Sequence, residues 1–448
     1  MYLFFEHVLV VLGVLAVATA IILALSQRRS PQSSAAWILF IILIPYLAVP
    51  VFVALGLGRW GHSFPPIKFL DTDPGDEPVY PVAAMLSRMG APALCRGNRM
   101  QLLDGPDEAQ RALESLIDGA NHHLDIIFYI LQNDATGRGF VRKLTEKADS
   151  GVRVRLKLDG FGSFLRPRRE LAAFQRAGGE LRILPMFRAF GRRGQINLRN
   201  HRKLAIADNR LVWAGGRNIA NEYFHSTDGS WCDLGFTAEG PIVQPFADLF
   251  AADWSEVSPA PPVEPAILPA STADLQLVAA GPDEPLGILH DGLATLIHRA
   301  ERRIWLASPY FVPTEYLELA LITAAQRGVD VQIWLPDRAN HLVTDLARGP
   351  YLRALEHAGC RIRRYHPGML HAKAGIIDET GWIGSANFDV RSMKLNFELC
   401  LFLYDAGSMA ALENWFHGIT PYTTEGLAPV GMPRRFVEKI FRLGAPIL

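Results

Sequence analysis

The chain contains one string twice, HRKLAIAD at residues 201–208 and HAKAGIID at 371–378, each an HxKxxxxD spacing set in the same local order of elements. Ahead of the first copy, DGPDEAQRALESLIDGANHHLDIIFYI reads as an amphipathic helix leading into an alternating strand, and TGRGFVRKLTEKADSGVRVRLKLD repeats that order. After residue 276 the cycle returns: AAGPDEPLGILHDGLATLIHRAERRIWLASPYF matches the first helix and strand, and SGVRVRLKL is answered by RGVDVQIWL. A duplication on this scale confines the chain to two copies of one α/β unit, with mixed sheets covered by helices.

The N-terminus adds a different constraint. Val8 to Ser26 carry no charge over 19 positions and Ser30 to Gly58 none over 29, and these runs account for the positive mean hydropathy of +0.12. At 1.5 Å per residue each is long enough to cross about 30 Å of hydrocarbon, so together they predict a transmembrane helical hairpin. A cleaved leader is the weaker reading, because MYLFFEH has no Lys or Arg and the A-x-A-like site at Ala18 to Ala20 lies inside the apolar run. Pro45 and Pro50 predict a bend in the second segment. Arg28 and Arg29 pull the connection toward the cytoplasm while Arg59 and Lys68 pull the other way, which leaves the side of the catalytic domain open. The expected organisation is a hairpin over 1–60, a Pro-rich tether over 61–97, a first half over 98–254, a linker (SEVSPAPPVEPAILPAS) over 255–271 and a second half over 272–448.

Charge balances at 45 basic and 45 acidic residues, so no chain-wide pull toward nucleic acid exists. Cys95, Cys232, Cys360 and Cys400 form no CxxC pair, which argues against zinc, iron-sulfur or disulfide scaffolds. No metal and no cofactor is expected.

Residues two apart on a strand share a face, so His201 with Lys203 and His371 with Lys373 project together while Leu204, Ile206, Ala374 and Ile376 pack behind. Two imidazoles and two ammoniums converging from two halves suit transfer at a phosphodiester. One histidine attacks phosphorus to give a phosphohistidine, and the other protonates the leaving alcohol and deprotonates the acceptor. The lysines, with Asn218 and Asn387, would stabilise the pentacoordinate state. Asp208 and Asp378 join the candidate catalytic set, with turn formation as their rival role. Asp233 and Glu398, 32 and 27 residues beyond His201 and His371, are expected to hold a catalytic histidine in one tautomer. Gly215, Gly216, Gly384 and Ser385 are expected to let the backbone approach a phosphate through an anion nest.

These residues resemble the phospholipase D superfamily, whose mark is HxKxxxxD followed by a glycine-rich segment and an Asn. The first copy departs in having Gly216 where the family usually has Ser, and the second has one residue fewer between Asp378 and Gly384. Over its whole length the chain is most similar to bacterial cardiolipin synthases, through RRSPQSSAAWILFIILIPYLAVPVF, NLRNHRKLAIADNRLVWAGGRNIANEY, SPYFVPTEYL and NFDVRSMKLNFE. The resemblance implies two tandem phospholipase D-like halves and a multi-pass protein of the bacterial inner membrane. It also implies joining of two phosphatidylglycerol molecules with release of glycerol, His201 being the nucleophile and His371 the general acid and base. Phospholipid hydrolysis, or transfer from another donor such as phosphatidylethanolamine, stays open, because HxKxxxxD does not select the acceptor. The expected partners are anionic phospholipids and the membrane, not nucleic acid, and a homo-oligomer is compatible with all of this. Arg166, Arg168 and Arg169, and Arg188, Arg192 and Arg193, with Phe161, Phe164, Phe187 and Phe190 among or beside them, form two basic runs suited to anionic headgroups.

Overall fold

The structure is a computed structural model that describes residues 2–26, 31–52, 66–70, 80–185, 198–224, 231–254, 260–262, 272–283 and 287–443. It divides into two compact units, one of residues 1–64 with 185–198 and one of 65–184 with 199–448. Phe187, Arg188, Phe190, Arg192 and Arg193, and residues 71–79, 255–259 and 263–271 of the expected tether and linker, lie outside the described residues.

In the first unit the leading apolar run forms one helix, Tyr2–Ser26, of which Phe4–Ser26 is long and apolar enough to cross a membrane. The second run bends at Pro45, one of the two prolines expected to bend it. Its helix Pro31–Leu43 has 13 residues, and Ile44, at φ −138° and ψ 62°, leaves the helical region before a short helix Pro45–Val51 begins. Pro45 lacks the N–H that would continue the ladder and its ring displaces the preceding turn. The helix Pro31–Leu43 is about 20 Å long by itself, and Pro45–Val51 continues the apolar run beyond the bend. Ala20 and Ala24, one turn apart, pack with Ile41, Ala48 and Phe52, small side chains letting the helices approach closely.

The second unit is built on a 15-stranded sheet. At its centre Cys95–Leu103 pairs antiparallel with Ala273–Ala280. Outward on one side follow Gly235–Glu239, Leu211–Gly215, Leu204–Ala207, His123–Phe128, Arg153–Asp159 and Glu180–Leu184. On the other side follow Glu398–Leu403, Thr380–Gly384, Ala374–Ile377, Arg303–Ala307, Asp330–Pro336 and Arg361–Tyr365, with Thr423–Glu425 added at the edge. The two strands that follow the HxK pairs therefore hold the same rank, each antiparallel to both neighbours, while the three outer strands of each series run parallel.

Helices cover both faces. Pro106–Gly119 and Ala135–Asp149 bury Leu113, Leu116, Phe140 and Leu144 against Ala205 and Leu156. Ile288–Arg299 and Glu315–Gln326 do the same with Leu293, Ile297 and Leu321 against Ile304 and Ile333. The opposite face forms one shared core, in which Leu204, Ile206 and Phe246 of the first half meet Ala374, Ile376, Leu401 and Phe416 of the second. At about 1.5–3 kcal/mol per buried aliphatic or aromatic side chain, that core holds the halves together and fixes their relative placement. The helix Pro81–Arg88 lies in the stretch read as tether, yet Ala83 and Leu86 pack beside Leu289 and Leu293, and the Gln276 amide donates to the Ala83 carbonyl.

Candidate functional site

The HxK residues precede their strands instead of lying within them. Asn200 bridges in parallel to Phe397, with His201 N donating to Phe397 O at 2.9 Å and Phe397 N donating to Arg199 O at 2.9 Å. The second half mirrors this: Leu370 bridges to Cys232, Cys232 N donates to Met369 O at 2.9 Å, and His371 N donates to Cys232 O at 2.6 Å. Each histidine segment is thus held by the backbone of the other half.

The side chains repeat the exchange. His201 Nδ1 lies 3.0 Å from both carboxylate oxygens of Glu398 and 3.0 Å from the carbonyl of Ser385. His371 Nδ1 lies 2.6 Å from Asp233 Oδ2. Each carboxylate serves the histidine of the opposite half. An Nδ1–H that donates to a carboxylate leaves the Nε2 lone pair for chemistry.

All of these groups are buried. Burial pushes the Asp233 and Glu398 carboxyls upward, but the adjacent imidazoles and lysines outweigh it and hold both below the usual range. Burial lowers the His201 imidazole, with Lys203 adding to the fall and Glu398 opposing it. Burial and the Lys373 ammonium bring His371 to about 3. Both resting imidazoles are neutral at pH 7, the state a nucleophile needs. Burial also lowers Lys203 well below its ordinary value and Lys373 to about 8. Lys373 Nζ sits 2.8 and 3.1 Å from the ring nitrogens of His371 and donates to its carbonyl, and Lys203 Nζ donates to the carbonyl of His201. Burial opposes charge on both lysines, while the Glu398 and Asp233 carboxylates favour it.

The flanking residues divide. Asn218 Oδ1 accepts from Ile130 N at 3.1 Å and its Nδ2 donates to the Tyr223 hydroxyl at 2.9 Å, so it holds the loop after the His123–Phe128 strand. Asn387 is buried and its side-chain oxygen meets no partner. Ser385 Oγ donates to Glu398 Oε2 at 2.5 Å and accepts from Leu399 N at 3.0 Å, so it orients the carboxylate. At the matching first-half position a Cβ on Gly216 would fall 2.2 Å from Asp233 Oδ1. The missing hydroxyl is the room that the first-half carboxylate occupies. Cβ atoms on Gly215 and Gly384 would strike Gly235 Cα at 2.5 Å and Leu399 O at 2.2 Å, so these glycines admit neighbouring strands; a phosphate nest is not what requires them.

Asp208 and Asp378 stand away from the imidazoles, at the far ends of their strands, about 20 Å along the chain at the rise of an extended backbone. Asp208, at φ 50°, accepts from the backbone N–H groups of Asn121, His122 and His123 at 2.7–2.8 Å. Asp378, at φ 47°, accepts from those of Glu301, Arg302 and Arg303 at 2.9–3.0 Å. Despite partial burial, the three N–H donors hold the Asp208 carboxyl below its ordinary value. Both carboxylates make the backbone contacts that the turn reading assigns to them.

Other residues at the site carried no readable spacing. The ring of Tyr129 is 4.8 Å from that of His201, and Trp231, Tyr223 and Tyr310 stand 4.9, 5.3 and 6.4 Å from His371. Arg202, between His201 and Lys203, points oppositely and is fully buried, with Nη1 on Asp253 at 3.0 Å, Nη2 on Asp283 at 3.2 Å, and Nε donating to Glu398 O at 3.1 Å. Among the described residues no group of three or more His, Cys, Asp or Glu side chains could hold a metal ion. Of the first basic run, Phe161 and Phe164 are exposed, and Phe164, Arg166, Arg168 and Arg169 line an open hollow of about 650 Å³ with Gln132 and Asn133.

Residues 113–254 and 293–420 match the family described as "Cardiolipin synthase, PLD-like domain". Cardiolipin synthase A of Klebsiella pneumoniae (strain 342) is 31% identical, the similarity covering 98% of each chain, and that of Escherichia fergusonii is 30% identical, also over 98% of each. The fold is similar to that of the phosphatidylserine synthase of Haemophilus influenzae, with a TM-score of 0.63 and 16% identity over 78% of this chain and 95% of that one. The chain therefore belongs to the phospholipase D-like cardiolipin synthase family, as a membrane-associated, lipid-acting enzyme of phosphatidyl transfer or hydrolysis.

Proposed function

We propose that the enzyme joins two phosphatidylglycerol molecules into cardiolipin and releases glycerol. The observation that carries this reading is the crosswise pair of carboxylate-anchored, neutral imidazoles, each with a lysine beside it. His201 Nε2 attacks the phosphorus of the first phosphatidylglycerol, and the P–O bond to its glycerol headgroup breaks. His371 gives that alkoxide its proton, and glycerol departs, leaving a phosphatidyl group on His201. His371 then takes the proton from a hydroxyl of the second phosphatidylglycerol, whose oxygen attacks phosphorus and restores His201. Lys203, Lys373 and the Asn387 amide stabilise charge on the non-bridging oxygens.

With His371 at about 3 in the resting site, the acid form is available only when the anionic phosphodiester arrives and favours a second positive charge nearby. His371 thus takes up a proton from water as the anionic substrate binds. Membrane anchoring brings both lipids to one site, and the aromatic rings around the imidazoles disfavour water as the acceptor. In this reading 98–254 and 272–448 are the tandem halves, and the two apolar runs form one multi-pass anchor.

The test is incubation of proteoliposomes with labelled phosphatidylglycerol, following cardiolipin, glycerol and phosphatidic acid. Wild type should yield cardiolipin and glycerol in equal amounts, and His201→Ala and His371→Ala should each lose nearly all turnover. Dominant phosphatidic acid would reassign the enzyme as a hydrolase. Cardiolipin formed only when phosphatidylethanolamine is added would reassign the donor.

A further inference from the structure

The C-terminal helix Met432–Leu443, MPRRFVEKIFRL, is fastened to the protein by its polar edge. Glu438, 2% exposed, accepts from Arg353 at 2.6 Å and from Arg434 at 3.0 Å, and Gly349 leaves it room, since a Cβ there would fall 2.6 Å from Glu438 Oε2. Arg442 lies 4.6 Å over the ring of Tyr351 and donates to Glu318 at 3.3 Å, while Phe441 packs on Val312, Ala347 and Tyr351. At about 100° per residue, the direction opposite this edge is that of Phe436, flanked one turn away on each side by Met432 and Ile440. Those three side chains are 67%, 84% and 51% exposed.

A helix on a water-facing surface orients the other way, with its apolar stripe on the core. Here the ion pairs hold the helix with its apolar stripe outward, where the exposed side chains of Phe436, Met432 and Ile440 gain nothing from water. The cations Arg435 and Lys439 border the stripe, and the single acid of the helix is buried and neutralised. An apolar stripe edged by cations is complementary to an anionic lipid surface, with the stripe among the upper acyl chains and the cations at the phosphates. The location fits as well. The helix Leu342–His357 on which it lies starts at His341, whose ring is 5.6 Å from Tyr310, itself 6.4 Å from His371. Leu342, next to His341, is 71% exposed.

We propose that Met432–Leu443 is an interfacial helix that lies in the plane of an anionic bilayer and holds the mouth of the active site against it. It is a lipid contact additional to the N-terminal apolar helix, and it does not depend on which acceptor the site uses.

The test places an environment-sensitive fluorophore at Phe436→Cys, or at Arg434→Cys on the docked edge, in the full-length protein reconstituted in vesicles, with unsubstituted protein as the labelling blank. In phosphatidylglycerol-containing vesicles the dye at 436 should shift to the blue and be quenched by lipids bearing a nitroxide high on the acyl chain. The dye at 434 should show neither effect, and R435E with K439E should abolish most of the quenching at 436. The same double variant should lower turnover of bilayer phosphatidylglycerol several-fold while leaving turnover of a short-chain, monomerically dispersed phosphatidylglycerol unchanged. No blue shift and no quenching at 436 in anionic vesicles would overturn the proposal. So would quenching that depends on the protein-to-lipid ratio instead of the nitroxide, which would assign the face to a second copy of the chain. Fluorescence reads depth without turnover, so its failure is separable from failure of the transferase reading.

Discussion

Gly216→Ala tests the geometry of the first-half carboxylate directly. The added methyl would lie 2.2 Å from Asp233 Oδ1 and 3.0 Å from its Cγ, where ordinary contact needs about 3.4 Å. The carboxylate must retreat by about 1 Å, yet Oδ1 is held by Leu234 N at 2.7 Å and Oδ2 by His371 Nδ1 at 2.6 Å. Such a displacement takes the imidazole bond out of range. A hydrogen bond to a charged group contributes about 1.5–3 kcal/mol, which converts to a loss of about 10- to 150-fold in turnover. The assay is the initial rate of labelled cardiolipin formation in proteoliposomes, with a thermal melt to verify folding. Gly216→Ser should be as impaired as Gly216→Ala, and adding Asp233→Glu should restore part of the rate, because the pair then reproduces Ser385 and Glu398. Wild-type turnover by a folded Gly216→Ala protein would refute the reasoning, as would failure of the double variant to exceed Gly216→Ser.

Further outcomes follow from the same geometry. Asp208→Ala and Asp378→Ala should each destabilise the fold by about 1–3 kcal/mol, through three unpaired backbone N–H groups, while turnover per folded molecule stays within about threefold; a collapse of turnover without a shift in melting would contradict this. Arg202→Met leaves Asp283 buried without its cation and Asp253 with Lys157 alone, so stability should fall by about 3–5 kcal/mol, read by denaturant unfolding. With Lys373 at about 8, kcat/KM for an anionic lipid should decline above that pH as the ammonium is lost, and Lys373→Arg should move the decline to higher pH. His371 stands at about 3 in the folded chain against about 6.5 unfolded, so in that window only the unfolded chain binds the proton. Its contribution is therefore intact above about 6.5 and is lost as pH falls toward 3, and His371→Gln should flatten that part of the melting profile.

The strand and helix cycles were legible because period-2 and period-3.6 patterns are local, and the shared rank of the Leu204–Ala207 and Ala374–Ile377 strands follows from the duplicated string. His201, Lys203, His371 and Lys373 stood out together for the same reason, as residues repeated at one spacing. Asp208 and Asp378 stayed open between a catalytic and a turn role because a carboxylate that clamps three amides and one that does chemistry look alike when only spacing is read. Ser385 and Gly216 were read as parts of an anion nest, and spacing gave no sign that the Ser385 hydroxyl steadies Glu398 or that Gly216 makes room for Asp233. In the second apolar run length alone predicted a span, and Pro45 predicted the bend that divides it.

What the amino-acid order determined by itself was the duplicated string, the apolar N-terminus and the recurrence of the His and Lys residues at one spacing, since each is written in periodicity or in repeated residue types. Only tertiary structure decided which carboxylate serves which histidine and which face of the C-terminal helix looks outward. The first depends on segments 197 and 138 residues apart lying side by side, and the second on ion pairs to the buried Glu438 that rotate the helix against its hydrophobic preference.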